Sequence, residues 1–217
     1  MKSGLFGGTF NPLHTGHIDT LRVVRDNFGL DRVYLIPCSV PPHKPAAGLA
    51  PAADRLEMIN RSIRDIKGFY SSGMELERGG PSYTIDTVLE FKKEYADTTR
   101  PHLIIGSDAF FDITTWDRYQ KIFDEIDVIV MTRPGYRDTL AEITSFVRQG
   151  ISPGYCFRDE ENAFVHNGEK KKIHIAEVPL IDISSTMIRE LVRKGEPFGH
   201  LVPLPVKKII VEKGLYS

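Results

Sequence analysis

The chain has 217 residues, of which 41% are hydrophobic and 26% charged, and its formal net charge is −1. A chain of this length can bury one sizeable core, and the near-neutral balance excludes the strongly basic surface typical of proteins that bind nucleic acid non-specifically. No run approaches the roughly 20 apolar residues of a membrane-spanning helix, and the first residues do not resemble a secretion signal. We therefore expect a cytoplasmic protein that acts without nucleic acid or membrane.

Short apolar runs alternate with helical patterns along the chain. In chain order, the first half predicts a strand at 5–6, a helix with an apolar face over 18–28, a strand at 32–36 and a helix over 56–66 that Gly68 ends. A weaker strand candidate follows at 69–76, and then a helix capped by Ser82. The second half predicts strands at 102–105, 127–131 and 172–178, and a last helix between Pro205 and Gly214.

This alternation indicates an α/β fold in which helical crossovers connect the strands of a doubly wound parallel sheet. Such sheets bind ligands at the carboxyl ends of their strands, near the point where the strand order reverses. The polar segment 150–172 shows no periodicity, and we predict a long surface excursion there. Because too few residues flank it to build a second core, we predict one domain over 1–217 that includes the C-terminal helical part.

The sequence GGTFNPLHTGH stands where the first strand passes into the first helix. Gly7 and Gly8 permit unusual backbone dihedrals and allow a ligand to approach backbone N–H groups, while the helix start adds a positive dipole end. His14 and His17 flank that helix start, so both can turn towards the same anion. The combination favours a phosphate site.

Two other interpretations of this junction stay open. The glycines are also compatible with an ordinary turn. The histidines admit a metal site with His43 as a third ligand, although the neighbouring Lys44 opposes a cation there. Sequence signatures of other phosphate and acyl chemistry (GxGxxG, GxxxxGK[ST] and GxSxG) are missing, which argues against a dinucleotide-dependent dehydrogenase, a P-loop enzyme and an α/β-hydrolase.

A second anion site is predicted from ISSTMIR, the sequence of 183–189. Its hydroxyl side chains suit a helix N-terminus, where free N–H groups point outward. Arg189 lies three residues after Thr186 and four after Ser185, hence on the same helical face. The stretch fits a clamp for polyphosphate, and it also fits a capped helix with a solvated arginine.

Together these two stretches resemble the HxGH nucleotidyltransferase superfamily. Within it, the chain is similar to the bacterial nicotinate-nucleotide adenylyltransferase family. Further segments that match this family are IPCSVPPHK at 36–44, PSYTIDT at 81–87, IGSDAFFDITTW at 105–116, RPGY at 133–136 and EKGLY at 212–216. The sequence departs from the family at Asn11, where many members have Asp, and at Ile209, where they often have Tyr.

The resemblance implies a Rossmann-like nucleotidyltransferase fold and a reaction in NAD biosynthesis. The adenylyl group of ATP would pass to nicotinic acid mononucleotide, with pyrophosphate as the second product. Mg²⁺ is expected to accompany ATP, and no residue is assigned as its ligand because magnesium retains water readily. A homo-oligomer stays open. So do another acceptor, such as nicotinamide mononucleotide, and a non-catalytic nucleotide-binding module.

The resemblance also implies roles for individual residues. Four are expected to act on the reacting phosphates: His14, His17, Lys44 and Arg189. The remaining ATP contacts are expected from Gly7, Gly8, Thr9, Phe10, Gly106, Ser107, Asp108, Ser184, Ser185 and Thr186. Trp116 is expected to stack on the pyridine ring of the acceptor, whose other contacts are expected from Ser39, Lys44, Thr84, Tyr119 and Arg133.

Overall fold

A computed structural model describes residues 1–40, 48–95, 99–132 and 140–217. The predicted site residues Lys44 and Arg133, as well as His43, lie outside these ranges. Within them, eight strands form a single sheet. They are β1 (Lys2–Gly8), β2 (Arg32–Pro37), β3 (Phe69–Ser71), β4 (Arg100–Gly106), β5 (Asp127–Thr132), β6 (Tyr155–Arg158), β7 (Ala163–His166) and β8 (Ile173–Glu177).

Helices connect these strands and cover both faces of the sheet. They are α1 (Thr15–Phe28), α2 (Ala52–Ile63), α3 (Met74–Arg78), α4 (Thr84–Tyr95), α5 (Ser107–Phe111), α6 (Tyr119–Glu125), α7 (Leu140–Phe146), α8 (Ser185–Lys194) and α9 (Leu204–Lys213). Among the described residues, no helix combines the length and the apolar character that crossing a bilayer requires.

The strands follow the order β3-β2-β1-β4-β5-β8-β7-β6. From β3 to β8 neighbouring strands are parallel, whereas β7 pairs antiparallel with both β8 and β6. The chain moves outward from β1 to β3 and then returns to place β4 on the other side of β1. The strand order therefore reverses between β1 and β4, which confirms the predicted doubly wound sheet.

Two apolar cores cover the two faces of the sheet. Successive strand residues alternate between them: Ile104 packs among residues of α1, α2, α8 and α9, whereas Leu103 and Ile105 pack among residues of α4, α6 and α7. This alternation follows from the two-residue period of a strand. Burial on both faces explains why the central strands read as continuous apolar runs.

The prediction of a surface excursion over 150–172 is wrong. This segment contains β6 and β7, which form an antiparallel hairpin that extends the sheet beyond β8. Tyr155 and Phe164 of the hairpin are fully buried in the core. Each strand has only four residues, so the alternation of apolar and polar residues is too short to stand out from the polar flanks.

Smaller corrections concern element boundaries. The weak strand candidate at 69–76 divides into β3 and the short helix α3. Helix α2 ends at Ile63, so the apolar residue at 66 lies beyond it, and the left-handed turn comes at Gly68. Ser82 does not cap α4; its hydroxyl accepts a hydrogen bond from the backbone N–H of Ser39 at 2.9 Å instead.

Candidate active site

A cleft of about 1010 Å³ opens at the carboxyl ends of β1 and β4, where the strand order reverses. Gly7 and Gly8 end β1 at this cleft, and Gly106 ends β4. The stretch 183–189, far along the chain, reaches the same cleft through the N-terminus of α8. The fold therefore brings both predicted phosphate motifs to the place where a doubly wound sheet binds its ligands.

The turn after β1 differs from the prediction in one respect. Gly7 and Gly8 are strand residues, and neither has a positive φ; the left-handed residue of this turn is Phe10, with φ 47°. The ladder with β2 keeps both glycines extended. A Cβ added to Gly7 would have no neighbouring atom within 4 Å, so this glycine leaves open space at the floor of the cleft.

The two histidines meet at the start of α1. His14 is the N-cap residue, and its backbone N–H donates to Nδ1 of His17 at 3.2 Å. The imidazole rings are stacked with their centroids 3.6 Å apart. Because Nδ1 of His17 accepts a hydrogen bond, the proton of the neutral ring lies on Nε2, which makes this atom a donor.

Gly16, between the two histidines, was given no role by the sequence. A Cβ at this position would lie 3.1 Å from Nδ1 of His14 and 3.2 Å from Cγ2 of Ile181. Any larger residue would press on the ring of His14 or on the segment that leads into α8. Gly16 therefore permits the close approach that places the histidine pair beside the second motif.

Helix α8 is bonded directly to the first loop. The Ser185 hydroxyl donates to the carbonyl of Pro12 at 2.9 Å, and the Arg189 guanidinium donates to the carbonyl of Asn11 at 2.9 Å. A second nitrogen of Arg189 donates to the Thr186 hydroxyl at 3.2 Å. Ser184 caps the helix by accepting from the backbone N–H of Met187. These bonds fix the orientation of both motifs towards the cleft.

Asn11, a departure from the family pattern, has a structural explanation. Its Nδ2 donates to the carbonyl of Gly48 at 2.9 Å, which a carboxylate could not do. Its Oδ1 accepts from the backbone N–H of Ala50 at 2.9 Å and from the Tyr216 hydroxyl at 2.8 Å. The amide thus ties the first loop to the segment before α2 and to the C-terminus.

Arg55 is a second residue that sequence reasoning missed. It lies on α2, and none of its surface is exposed. Its guanidinium donates to the carbonyls of Thr9 at 2.8 Å, Ala50 at 3.0 Å and Ser39 at 3.2 Å. A buried arginine therefore holds the loop after β1 against the end of β2, and it places a positive charge behind that loop.

The opposite wall of the cleft carries the predicted acceptor residues. Trp116 and Thr84 are half-buried and line the cleft, with Trp116 packed against the core beneath it. Beside them lies the buried Glu75, whose Oε1 accepts from the Thr87 hydroxyl at 2.6 Å. Burial raises the pKa of the Glu75 carboxyl, and hydrogen bonds from Thr87 and Ser82 oppose this rise.

The predicted site residues fall into three groups. Ser39 and Tyr119 are described but do not line the cleft, and the Tyr119 hydroxyl donates to the carbonyl of Gly150 at 3.1 Å. Lys44 and Arg133 lie outside the described residues. The predicted residues that line the cleft are Gly7, Gly8, Thr9, Phe10, His14, His17, Thr84, Gly106, Ser107, Asp108, Trp116, Ser184, Ser185, Thr186 and Arg189.

Acidic side chains also line the cleft and could serve as ligands of a divalent cation. Asp108, in the first turn of α5, is exposed and lines the cleft, and its carboxylate is a hard oxygen ligand of the kind Mg²⁺ prefers. Within the described ranges, three ligand side chains converge at one place, which lies away from the cleft. Glu75, Asp112 and Asp117 also line the cleft, so it offers several carboxylates to an ion that phosphate oxygens and water would hold.

Comparisons with known proteins agree with this geometry. A chain from Geobacter metallireducens named "Probable nicotinate-nucleotide adenylyltransferase" is 37% identical, and the alignment covers 100% of this chain and 99% of the relative. A chain of the same name from Geobacter sulfurreducens is 39% identical, with the same coverage. The solved Plasmodium falciparum nicotinic acid mononucleotide adenylyltransferase complexed with NaAD shares the fold, with a TM-score of 0.74 at 18% identity over 100% of this chain and 98% of that one.

The full-length relatives named adenylyltransferases show that this chain is a nucleotidyltransferase, and the doubly wound sheet with both motifs at its switch point agrees with that class. The sequence pattern described as cytidylyltransferase-like matches residues 5–191, which include both motifs. The chain belongs to the cytidylyltransferase-like family.

Proposed function

We propose that this protein transfers the adenylyl group of ATP to nicotinic acid mononucleotide, giving nicotinic acid adenine dinucleotide and pyrophosphate in NAD biosynthesis. The observation that carries the proposal is that the histidine pair, the α8 N-terminus and Trp116 line one cleft. Full-length relatives named for this activity support the choice of acceptor.

In this reaction a phosphate oxygen of the acceptor attacks the α-phosphorus of ATP. The bond between that phosphorus and the oxygen bridging to the β-phosphate breaks, and pyrophosphate leaves with the electron pair. The attacking group is already an anion, so no strong base is required. The enzyme needs to align the two nucleotides and to stabilise the charge on the transferred group and the leaving group.

His17 supplies a donor for that charge. With Nδ1 engaged by the backbone N–H of His14, its Nε2–H is the ring donor that a phosphate oxygen accepts from. The ring of His14 stacks on the ring of His17, so both imidazoles lie beside the same phosphate in this proposal. We assign both histidines to the α-phosphoryl group as the transition state forms, since positioned donors act most strongly on developing charge.

The other ATP contacts follow from the first loop and from α8. Gly7, Gly8, Thr9 and Phe10 cradle the phosphates, and Ser184, Ser185, Thr186 and Arg189 hold the β- and γ-phosphates. Arg189 is fixed in place because one of its nitrogens binds the Asn11 carbonyl. Gly106, Ser107 and Asp108 contact the adenosine. Lys44 adds positive charge near the reacting phosphates in this proposal.

The carboxylates that line the cleft would be available to the magnesium ion that accompanies ATP, directly or through water. When bound, the ion would supply positive charge that offsets the charge of the phosphates.

The acceptor occupies the opposite wall. The flat face of Trp116 stacks on the pyridine ring, and Thr84 donates to the carboxylate. Ser39, Tyr119 and Arg133 complete the acceptor site in this proposal. Tyr119 would have to give up its bond to the Gly150 carbonyl if its hydroxyl is the donor. We further propose that the chain acts as one domain over 1–217 and in the cytoplasm, with nucleotides rather than nucleic acid as partners.

The experiment that tests the function is a pyrophosphate-release assay with ATP, Mg²⁺ and a panel of acceptors. The panel contains nicotinic acid mononucleotide, nicotinamide mononucleotide, phosphopantetheine and glycerol phosphate. We expect the highest kcat/KM with nicotinic acid mononucleotide. A higher value with nicotinamide mononucleotide would change the acceptor, and no release with any compound would leave a nucleotide-binding module.

A further inference from the structure

Three side chains that can bind a metal converge at the amino-terminal ends of three central strands, whereas the cleft lies at the carboxyl ends. His102 is near the start of β4, Asp127 begins β5 and His174 is near the start of β8. These strands are neighbours, with His102 opposite Asp127 and His174 opposite Ile129 in the ladder. One ligand atom of each side chain lies within 4.8 Å of the other two. None of the three lines the cleft.

We propose that His102, Asp127 and His174 bind one divalent transition-metal ion of the zinc class. Two imidazole nitrogens and one carboxylate oxygen form a donor set that suits zinc, with water as the fourth ligand. Because none of the three residues lines the nucleotide cleft, this proposal does not depend on the proposed reaction.

The spacing needs only a small closure around an ion. Three atoms within 4.8 Å of one another have a central point at most about 2.8 Å from each. Bonds from zinc to nitrogen or carboxylate oxygen measure roughly 2.0–2.2 Å, so each side chain would move by well under 1 Å. Nε2 of His102 and Oδ2 of Asp127 are 4.0 Å apart, which is too long for a hydrogen bond.

The surroundings orient two of the three groups. Oδ1 of Asp127 accepts from the backbone N–H of Lys172 at 2.8 Å, which leaves Oδ2 directed towards His102. The ring of Phe28, at the end of α1, packs edge-on against His174 with centroids 5.6 Å apart. Such outer contacts are what hold metal ligands in place in known sites.

Burial shields the cluster from bulk water. His102 is 8% exposed, and Asp127 and His174 are half-buried. Attraction between a carboxylate and a cation is stronger in such surroundings than in bulk water.

Two lysines near the cluster oppose a cation. Lys172 lies close enough to act on His174, and Lys2 close enough to act on His102. The Lys172 ammonium forms an ion pair with Glu161, whose carboxylate offsets that positive charge. Asp127 supplies a negative charge within the cluster itself.

The test uses purified full-length protein without a polyhistidine tag, stripped of metal and titrated with Zn²⁺ alone. Equilibrium dialysis with metal analysis is expected to give one ion per chain. Co²⁺ in place of Zn²⁺ should give the absorption bands of a four-coordinate site with nitrogen and oxygen ligands. At a hundredfold excess over the dissociation constant, Zn²⁺ should raise Tm by about 5 to 10 °C.

Matched variants locate the ion. The variants His174→Gln and Asp127→Asn should each fail to bind the ion. In Asp127→Asn the side-chain oxygen can still accept from the Lys172 N–H, so the fold should be preserved. His174→Cys restores a zinc ligand and should restore binding. The exposed His200→Gln and the cleft variant His17→Gln should both retain the ion.

Three results would overturn the proposal. The first is no stoichiometric binding of Zn²⁺ or Co²⁺ by the wild-type chain. The second is binding that persists in both His174→Gln and Asp127→Asn. The third is loss of the ion in His17→Gln alone, which would place it at the histidine pair of the cleft. Circular dichroism of each metal-free variant checks that a lost ion does not reflect a lost fold.

Discussion

The two walls of the cleft are built differently. The phosphate wall, residues 7–17 and 184–189, is joined across the whole chain by side chains bonded to backbone carbonyls, as Ser185 is to Pro12 and Arg189 to Asn11. The acceptor wall, residues 75–88 and 112–117, presents the partly exposed Trp116 and Thr84 above an apolar core. A rigid wall suits alignment of a transition state, and a packed aromatic surface suits recognition of a flat ring.

This difference predicts different kinetic consequences. A change in the phosphate wall should act mainly on kcat, because its contacts strengthen as charge develops during transfer. A change in the acceptor wall should act mainly on the KM of one substrate, because stacking is similar before and during the reaction.

The largest effect is expected for His17→Ala. Loss of the Nε2–H donor should lower kcat by roughly a hundred- to a thousandfold, with the KM of both substrates nearly unchanged. Steady-state kinetics of pyrophosphate release would measure this.

His17→Gln is the matched control for that change. Glutamine at the third helical position can accept from the N-cap N–H, so it keeps the bond that Nδ1 makes to His14. It should retain the stability of the wild type while showing the same loss of kcat. Near-normal turnover in either variant would remove His17 from the chemistry.

A large effect on the phosphate wall is also expected from Arg55→Met. Methionine fills similar space but leaves the carbonyls of Thr9, Ser39 and Ala50 without their donor. We expect the free energy of unfolding to fall by about 2 to 4 kcal/mol and kcat to fall with it. Urea denaturation and kinetics on the same samples would measure both.

Arg55→Lys separates charge from geometry. An ammonium keeps the positive charge but cannot reach three carbonyls in the way that a planar guanidinium does. We therefore expect losses in the free energy of unfolding and in kcat that are smaller than those of Arg55→Met. If Arg55→Met has the urea midpoint of the wild type, the arginine does not hold the loop after β1.

The sequence predicted the fold class and most central elements because their signals are local. The runs at 32–36, 102–105 and 127–131 lie inside β2, β4 and β5. The hairpin of β6 and β7 was missed because its strands are short and its buried positions depend on pairing with β8. A four-residue strand has too few residues to show a periodic pattern, and the burial of its side chains is decided by the strands beside it.

The site residues also divide into those with a local sequence signal and those whose role depends on other parts of the fold. His14, His17 and Arg189 stand in compact motifs whose spacing can be read directly, and the structure places them in one cleft. Arg55 looks like an ordinary charged residue of an amphipathic helix, and its role arises only once α2 packs behind the loop. Asn11 is similar, since its partner Tyr216 is 205 positions away.

A moderate effect is expected for Trp116→Ala. Loss of the stacking surface should raise the KM of nicotinic acid mononucleotide by roughly tenfold or more, an amount typical of base stacking on an aromatic side chain. The KM of ATP and kcat should change little.

Trp116→Phe keeps a stacking face and should recover most of that KM. An unchanged KM for the acceptor in Trp116→Ala, or an equal rise in the KM of ATP, would mean that Trp116 does not bind the acceptor specifically.

The smallest effect is expected for Glu75→Gln and concerns pH. Burial raises the pKa of Glu75 in the folded chain. The protonated carboxyl therefore stabilises the fold at low pH, and this stabilisation is lost as pH rises through the raised pKa. Glutamine does not ionise and can still accept from Thr87. The variant should therefore gain stability relative to wild type as pH rises above the usual glutamate range of about 4.

Urea midpoints between pH 4 and pH 8 would show this as two curves that separate with rising pH. The control is Glu77→Gln, a change of the same chemistry at an exposed position of the same helix α3, whose curve should run parallel to that of wild type. Parallel curves for Glu75→Gln would show that the carboxylate of Glu75 is ionised at no cost. The acceptor wall would then tolerate a buried charge, as the phosphate wall does at Arg55.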